Sequence, residues 1–563
     1  MNYQEIAVNI PKREGDKLFN FRPVFFTAIF LCFGIVFSYA YLFYHFSIWW
    51  MLLLIPIFVA PLFFCKEKKK VLITFSAVVV LAISFMLGCF SFGATLDKYA
   101  DCKRYHGAYS VVGTVVEKAE YDYSVKLVLQ DVFIGKNAEK GKLVAYMPLS
   151  FGKNIGVCDE ILLLGNVRTE TGYFNDYGFR AEDIGDNVQF LVEDVESCAV
   201  VGKSSNIFLR IRAAVEERLF IGMDNVSASV TLAVLTGDTA LIEKGLLENV
   251  RMGGIAHIFA VSGLHVGALY GFCLWLTEKK RLKALAKPVR FLMVAVLLVL
   301  YAGVCGFSSS VVRAMTLCLV SYAAKLIGTE SDMLQATGLA AILVLLIKPT
   351  ELFAVGFQLS FAACLGIALF ARPLRLVMEK GAEFIKKKTV RLFRLNERAR
   401  SNPTRKGDAA PLGVGGRMLR AMVSFASVSL AAQIATSPLL LYNFEYLSLW
   451  GLLLNGIFVP FISAIFSALL LFVLLGSILP LAWSSVILSL PSMVWNVALL
   501  IFEGMDFSTF ALYGIRLSFG SMICYYGGWV FLTDKWNMPK RVKRSLSICC
   551  FLAFVATMYA LNF

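Results

Sequence analysis

Residues 253–272 read GGIAHIFAVSGLHVGALYGF, an apolar stretch that also carries two of the chain's four histidines, a serine and five glycines. Its length decides the fold class, because a helix of about 20 predominantly apolar residues spans the hydrocarbon core of a bilayer. Such runs recur from end to end, and 58% of the 563 residues are hydrophobic while only 17% are charged. Candidate spans fall at 23–45, 49–65, 71–95, 254–277, 288–306, 309–327, 333–348, 353–371, 421–443, 449–476, 482–504, 514–533 and 545–562. The expectation is a membrane all-α polytopic bundle of thirteen transmembrane helices. The polar opening, residues 1–17, has no small-residue cleavage site before the first apolar run, so the first helix is expected to be retained.

Lysine and arginine set the orientation. They gather at 11–17, 65–70, 278–290, 372–420 and 534–544. Alternating the spans places all five connections on one side, which the positive-inside rule makes cytoplasmic. The amino terminus is then cytoplasmic, and residues 96–253 lie outside. The outer segment 97–203 has a net charge of −5 and the loop 372–420 one of +10, against +15 for the whole chain. That basic loop is explained by topology and a linker, with the grip of an emerging anionic strand or an ATPase as the alternative.

Within the outer segment the hydrophobic period changes. YSVVGTVVEK, SVKLVLQDV, GKLVAYM, EILLLGNVR and NVQFLVE are short, rich in Val, Ile and Leu, and separated by turn signals. Five strands suit a small barrel of the oligonucleotide/oligosaccharide-binding (OB-like) kind better than a sandwich, which needs about seven. The net negative charge opposes a strong grip on phosphates, so a docking role stands level with a nucleic-acid role. Three of the 13 cysteines, Cys102, Cys158 and Cys198, lie here; a Cys102–Cys158 disulfide is the preferred pair, with buried free thiols as the alternative. Residues 206–253 follow as amphipathic, interfacial helices.

On a helix His257 and His265 share a face but stand about 12 Å apart along the axis, too far to hold one metal ion unaided. His45 and His106 stand alone, so neither a metal site nor a cofactor is expected. Ser262 and His265, three apart, raise an intramembrane serine hydrolase, although such pairs generally come from separate elements. The competing account is packing: Gly263 and Gly267 let a second helix approach while the polar groups hydrogen-bond across the contact. Arg313 sits among apolar residues, where a charge costs ~2.5 kcal/mol or more, so it should face a protein interior or a watery path. Gln358, Ser360, Gln433, Pro438 and Asn455 extend this polar series over further spans, as channel lining or as helix glue.

GGIAHIFAVSGLHVG, GFSSSVVRAMT, GFQLSFAACLGI, AAQIATSPLL and LLLNGIFVP, in this order, resemble the motifs of the ComEC family of competence proteins, over residues 250 to 470. The outer segment with TGYFNDYGFRAEDIG is similar to that family's amino-terminal domain. The resemblance implies a non-enzymatic channel that passes one strand of transforming DNA through the membrane. It further implies an outer DNA receptor, a cytoplasmic helicase-like ATPase, surrounding lipid and an oligomeric option. His257, Ser262, Gly263 and His265 match the histidine motif, Arg313 the next, and Gln358 and Ser360 the FQLS motif. Two local departures are GFSSS in place of GFSPS and TGYFNDYGF in place of NPGGFDY. Many members append a metallo-β-lactamase-like domain with an HxHxDH motif, whereas this chain stops at Phe563; a short form served by a separate nuclease is expected. An export or envelope-assembly transporter without a DNA substrate stays open, as does the hydrolase. The expected parts are membrane helices at 1–95, the OB-like domain at 96–205, interfacial helices at 206–253, a first membrane core at 254–371, the basic loop at 372–420 and a second core at 421–563.

Overall fold

The computed structural model describes residues 22–44, 68–254, 263–396, 414–448, 450–451, 481–503, 511–532 and 539–562, apart from residues 122, 153, 176–177 and 330, together with Phe466, Leu469, Leu470 and Phe472. The helices are α1 (Pro23–Tyr44), α2 (Lys68–Ala100), α3 (Ile207–Gly222), α4 (Asn225–Thr236), α5 (Lys244–Met252), α6 (Gly263–Thr277), α7 (Lys287–Val304), α8 (Ser309–Ile327), α9 (Met333–Ile347), α10 (Val355–Asn396), α11 (Val414–Phe444), α12 (Leu481–Glu503), α13 (Phe519–Leu532) and α14 (Lys540–Asn562). The chain divides into two units, one of Arg22–Gln358 with Phe461–Asp506 and one that includes Leu359–Pro460 with Phe507–Phe563.

This is a membrane protein. Among the described residues seven helices are long and apolar enough to cross a bilayer: α1, α2, α7, α8, α10, α11 and α14. The described residues thus hold seven such helices against the thirteen expected. Four of the remaining segments form apolar helices of 10–17 residues, including Met333–Ile347 and Phe519–Leu532. At 1.5 Å per residue Met333–Ile347 and Phe519–Leu532 fall short of the roughly 30 Å hydrocarbon core, whereas α12 as a whole, Leu481–Glu503, is 23 residues long. The expected spans at 49–65 and, largely, 449–476 lie outside the described residues. A second difference concerns the basic loop: α10 runs on through Pro373 to Asn396, so that the loop's first half is helix. Its leucines, arginines, lysines and glutamates are good helix formers, and Arg375 pairs with Glu379 one turn on at 3.7 Å.

In the first unit α1 and α2 cross where only glycine fits. A Cβ on Gly34 would collide with the Phe85 carbonyl, and one on Gly88 with the Leu31 carbonyl. The close approach lets Ser84 Oγ donate to the Thr27 carbonyl at 2.7 Å and Cys89 Sγ to that of Gly34 at 3.2 Å. Arg22 ties the start of α1 to Asp332 at 2.8 Å, and Asp332 in turn caps α9 by accepting from the Leu334 and Gln335 amides.

The sheet domain follows from alternation. Its strands are β1 (His106–Glu120), β2 (Ser124–Ile134), β3 (Lys142–Pro148), β4 (Asp159–Thr169) and β5 (Val188–Lys203), with Asn137–Ala138 adding a short edge to β2. All five expected strands are present. Val125, Leu127 and Leu129 of β2 and Leu143, Ala145 and Met147 of β3 point into one core, every second residue inward. β1 pairs antiparallel with β2 and β4, β2 with β3, and β4 with β5, while β3 and β5 run parallel. The pairings β1–β2–β3–β5–β4 thus return to β1. The expected Cys102–Cys158 bridge is absent: Cys102, Cys158 and Cys198 are free thiols. Cys158 is buried with its sulfur 3.8 Å from the Ser204 carbonyl, while Cys102 and Cys198 pack against the sheet core.

The domain is seated on the helices by the TGYFNDYGF segment. Phe179 places its ring 5.1 Å from Tyr39, 5.4 Å from Phe353, 5.7 Å from Phe43 and Phe174 and 6.2 Å from Phe92. Tyr99, at the end of α2, donates to the Glu170 carbonyl at 3.0 Å, and Gln189 of β5 donates to the Tyr99 carbonyl at 2.9 Å. Aromatic packing with backbone hydrogen bonds fixes the sheet against α1 and α2.

The second unit shows how a membrane helix accommodates proline. Pro438 inside α11 has no N–H for the Ile434 carbonyl one turn back. Tyr525 of α13 donates its hydroxyl to that carbonyl at 3.0 Å, and Tyr526 donates to the Ala435 carbonyl at 2.7 Å. α10 meets α11 at Gly366, where a Cβ would lie 2.6 Å from the Ala431 carbonyl oxygen.

Two outcomes follow from this packing. Phe179→Ala should cost about 3 kcal/mol, read as a lower unfolding temperature of the detergent-solubilised protein and faster proteolysis between α2 and α3. Unchanged values would show that the aromatic cluster does not hold the sheet domain. Tyr525→Phe should cost about 1–2 kcal/mol by leaving a buried carbonyl without a donor. In a Pro438→Ala background, where position 438 has its own N–H, the same change should cost distinctly less. A double-mutant cycle with no coupling would rule out the compensation.

Candidate functional site

The motif residues fall into two groups. In the first unit the structure brings Gly263 of α6 against Arg313 of α8, with His265 on the same turn of α6 as Gly263. Arg313 is 6% exposed. Its Nη2 lies 3.7 Å from the place a Cβ on Gly263 would occupy, and the Ala314 methyl lies 3.6 Å from it. The guanidinium is therefore held at the first turn of α6. The expected tight helix crossing at Gly263 and Gly267 is not found: a Cβ on Gly263 would make ordinary contacts, and one on Gly267 would meet nothing described within 4 Å.

His265 is fully buried, with its ring centroid 4.7 Å from that of Phe466. Phe466 packs edge-on against Tyr301 of α7 at 6.2 Å, and Tyr301 donates its hydroxyl to the Leu235 carbonyl at 3.0 Å. A column of rings thus leads from the histidine motif to the end of α4. Gln358 stands in the same unit, half-buried, with its side-chain amide donating to the Leu352 carbonyl at 3.1 Å.

Ser360, Gln433 and Pro438 belong to the second unit. The Gln433 carbonyl accepts the Ser437 hydroxyl, and Pro438 is the helix-interior proline described above. Both features serve the backbone of α11. His257, Ser262 and Asn455 lie outside the described residues, so the Ser262–His265 pair has no described geometry.

Sequence reading gave a short helix at α4 but missed its burial and its partners. Residues 227–236 are all buried, in place of the interfacial helix expected there. Asp224 caps the helix by accepting from the Ser227 amide at 3.0 Å and from the Ser492 hydroxyl of α12, while Ser227 Oγ donates to Asn496 at 3.1 Å. At the other end Gly237, with φ +83°, turns the chain so that Asp238 forms an ion pair with Arg212 of α3. Burial first, and the neighbouring Asp238 carboxylate second, push the Glu216 carboxyl above its ordinary value. Asp224 ahead of Ser227 and Gly237 ahead of Asp238 are cap and turn signals present in the sequence; the partners across space, Arg212, Ser492 and Phe466, have no local signal.

The profile of the Competence protein family matches residues 234–539, from the end of α4 to the start of α14. ComE operon protein 3 of Bacillus subtilis (strain 168) is 26% identical over 235 residues, which is 42% of this chain and 25% of that protein. The chain thus spans a quarter of the length of the curated relative it matches. No solved structure matches. With more than half of its residues inside the family profile, and with the histidine, arginine and FQLS motifs in order, the chain belongs to the ComEC family of competence proteins.

Proposed function

We propose that this protein is a conduit for single-stranded DNA across the bacterial cytoplasmic membrane during natural competence. The observation that carries the reading is Arg313: a permanent positive charge buried beside the first turn of α6, inside the region the family profile covers. A guanidinium at membrane depth is costly unless a protein interior or water receives it, and a passing phosphodiester is an anion it would attract. The ring of pairings in the sheet domain is read as a closed OB-like barrel outside the membrane, with the amino terminus inside. The expected spans at 49–65 and 449–476 would complete the crossing pattern. Partners are an outer DNA receptor, a cytoplasmic helicase-like ATPase and a separate nuclease, and no catalysis is assigned to the chain. The close, tilted packing of the His265 ring against Phe466 supports a packing role over that of a base for Ser262.

Deletion of the gene should abolish entry of labelled DNA while duplex still binds outside; entry that persists would end the conduit reading. Arg313→Lys should keep part of the entry, and Arg313→Leu should lose it with the protein still inserted and accumulating. Wild-type entry by the leucine variant would take Arg313 out of the conduit. Gly267→Ala has room for its methyl and should accumulate normally, with a gain of up to ~1 kcal/mol in helix stability. A loss of inserted protein would reveal a close neighbour at that face.

A further inference from the structure

Where α6 ends, α7 begins and α8 ends, Thr277, Glu278, Lys283, Lys287, Arg290, Tyr322, Lys325 and Gly328 enclose a cleft of about 340 Å³. Four of its residues are basic and one is acidic, and Glu278 is engaged with Lys325 at 2.5 Å. Lys283, Lys287 and Arg290 leave the cleft with an excess of positive charge. Tyr322 on its wall is 2% exposed, and its hydroxyl has no hydrogen-bond partner among the described residues. Arg290 Nε is likewise buried without one. The cleft therefore offers donors and cationic charge to an anion, and its one carboxylate, Glu278, is already engaged.

Its position identifies the anion. Three apolar helices terminate at this level, and α7 leaves it with Val289, Leu292 and Val296 exposed along its length. Trp275 is 57% exposed beside it, with Lys279 Nζ 3.9 Å above the ring, an arrangement suited to the membrane–water boundary. We infer that this cleft is a binding site for the phosphate headgroup of an anionic phospholipid, whose acyl chains lie along the exposed apolar residues of α7. Basic pockets between membrane helices take such headgroups by charge, and each lysine near the surface contributes about fivefold to affinity at moderate ionic strength. The inference stands on this cleft and not on the DNA reading.

The test uses the full chain in nonionic detergent, with bound lipid counted by native mass spectrometry. Phosphatidylglycerol should be retained in preference to phosphatidylcholine of the same acyl chains. The Lys283→Gln/Lys287→Gln double variant, changed at two exposed positions, should retain phosphatidylglycerol roughly 25-fold less well, with phosphatidylcholine unaffected. Tyr322→Phe, which keeps the ring stacked on Phe291, should lower the phosphatidylglycerol share a few-fold. A Lys136→Gln/Lys140→Gln control in the sheet domain should change nothing. Equal retention by the pocket variant, or an equal loss in the control, overturns the assignment. Displacement of the lipid by millimolar inorganic phosphate alone would make the cleft a free-phosphate site, and displacement by a single-stranded oligonucleotide would make it a nucleic-acid contact; either result also overturns it.

Discussion

Away from water every backbone carbonyl and amide must find a partner inside the protein, and α4 shows what that demand does to its surroundings. Ten consecutive residues of this helix are buried, so its ends cannot be satisfied by solvent. At the amino end Asp224 receives the Ser227 amide and the Ser492 hydroxyl; at the carboxyl end the Leu235 carbonyl receives Tyr301 and Cys305. Helices α3, α7 and α12 are thereby drawn onto one short segment. Because Tyr301 also backs Phe466, and Phe466 backs His265, the placement of the histidine motif depends on how α4 is capped. The same constraint governs the second unit, where the carbonyl released by Pro438 recruits Tyr525.

What was legible in the sequence follows from the range of each signal. The five strands were readable because alternation is local and each turn is written beside the strand it ends. The polar residues of the helical motifs were readable as a series because they interrupt apolar runs. Span length was less legible, since the apolar runs at 333–348 and 514–533 form helices of only 15 and 14 residues, and an apolar run records hydrophobicity and not the helical length that the fold allots to it. The burial of α4 was hidden because a short helix with serines and threonines resembles an interfacial one until its capping partners, some 270 residues away, are in place. A disulfide was inferred from compartment and count, whereas bridging depends on Cα separation and direction, which sequence does not encode. The glycines of the histidine motif looked like a helix crossing, yet the crossing forms at Gly34 and Gly88, where carbonyl oxygens approach from the facing helix.

The protein places positive charge at the membrane in two different ways. Arg313 is enclosed, at 6% exposure, between α6 and α8. Lys283 and Lys287 are open, at the edge where helices begin and end. An enclosed guanidinium interacts through a low local dielectric and is little screened by salt, whereas surface lysines act over about 8–10 Å and weaken as ionic strength rises. The first arrangement suits an interaction that must occur at one depth inside the bundle. The second suits a headgroup that is always present and holds the helix ends at the boundary.

The sheet domain adds a third element, whose attachment is mainly aromatic and backbone-polar beside an ion pair of Asp186 with Lys348. Phe179 and its neighbouring rings, with Tyr99 and Gln189 on backbone carbonyls, seat it on α1 and α2 through contacts that salt does not screen. Its own surplus is acidic, so counterion release gives it little hold on a polyphosphate. A domain fixed this firmly is suited to holding α1 and α2 in register. The buried positive charge stands instead on the helices, at Arg313.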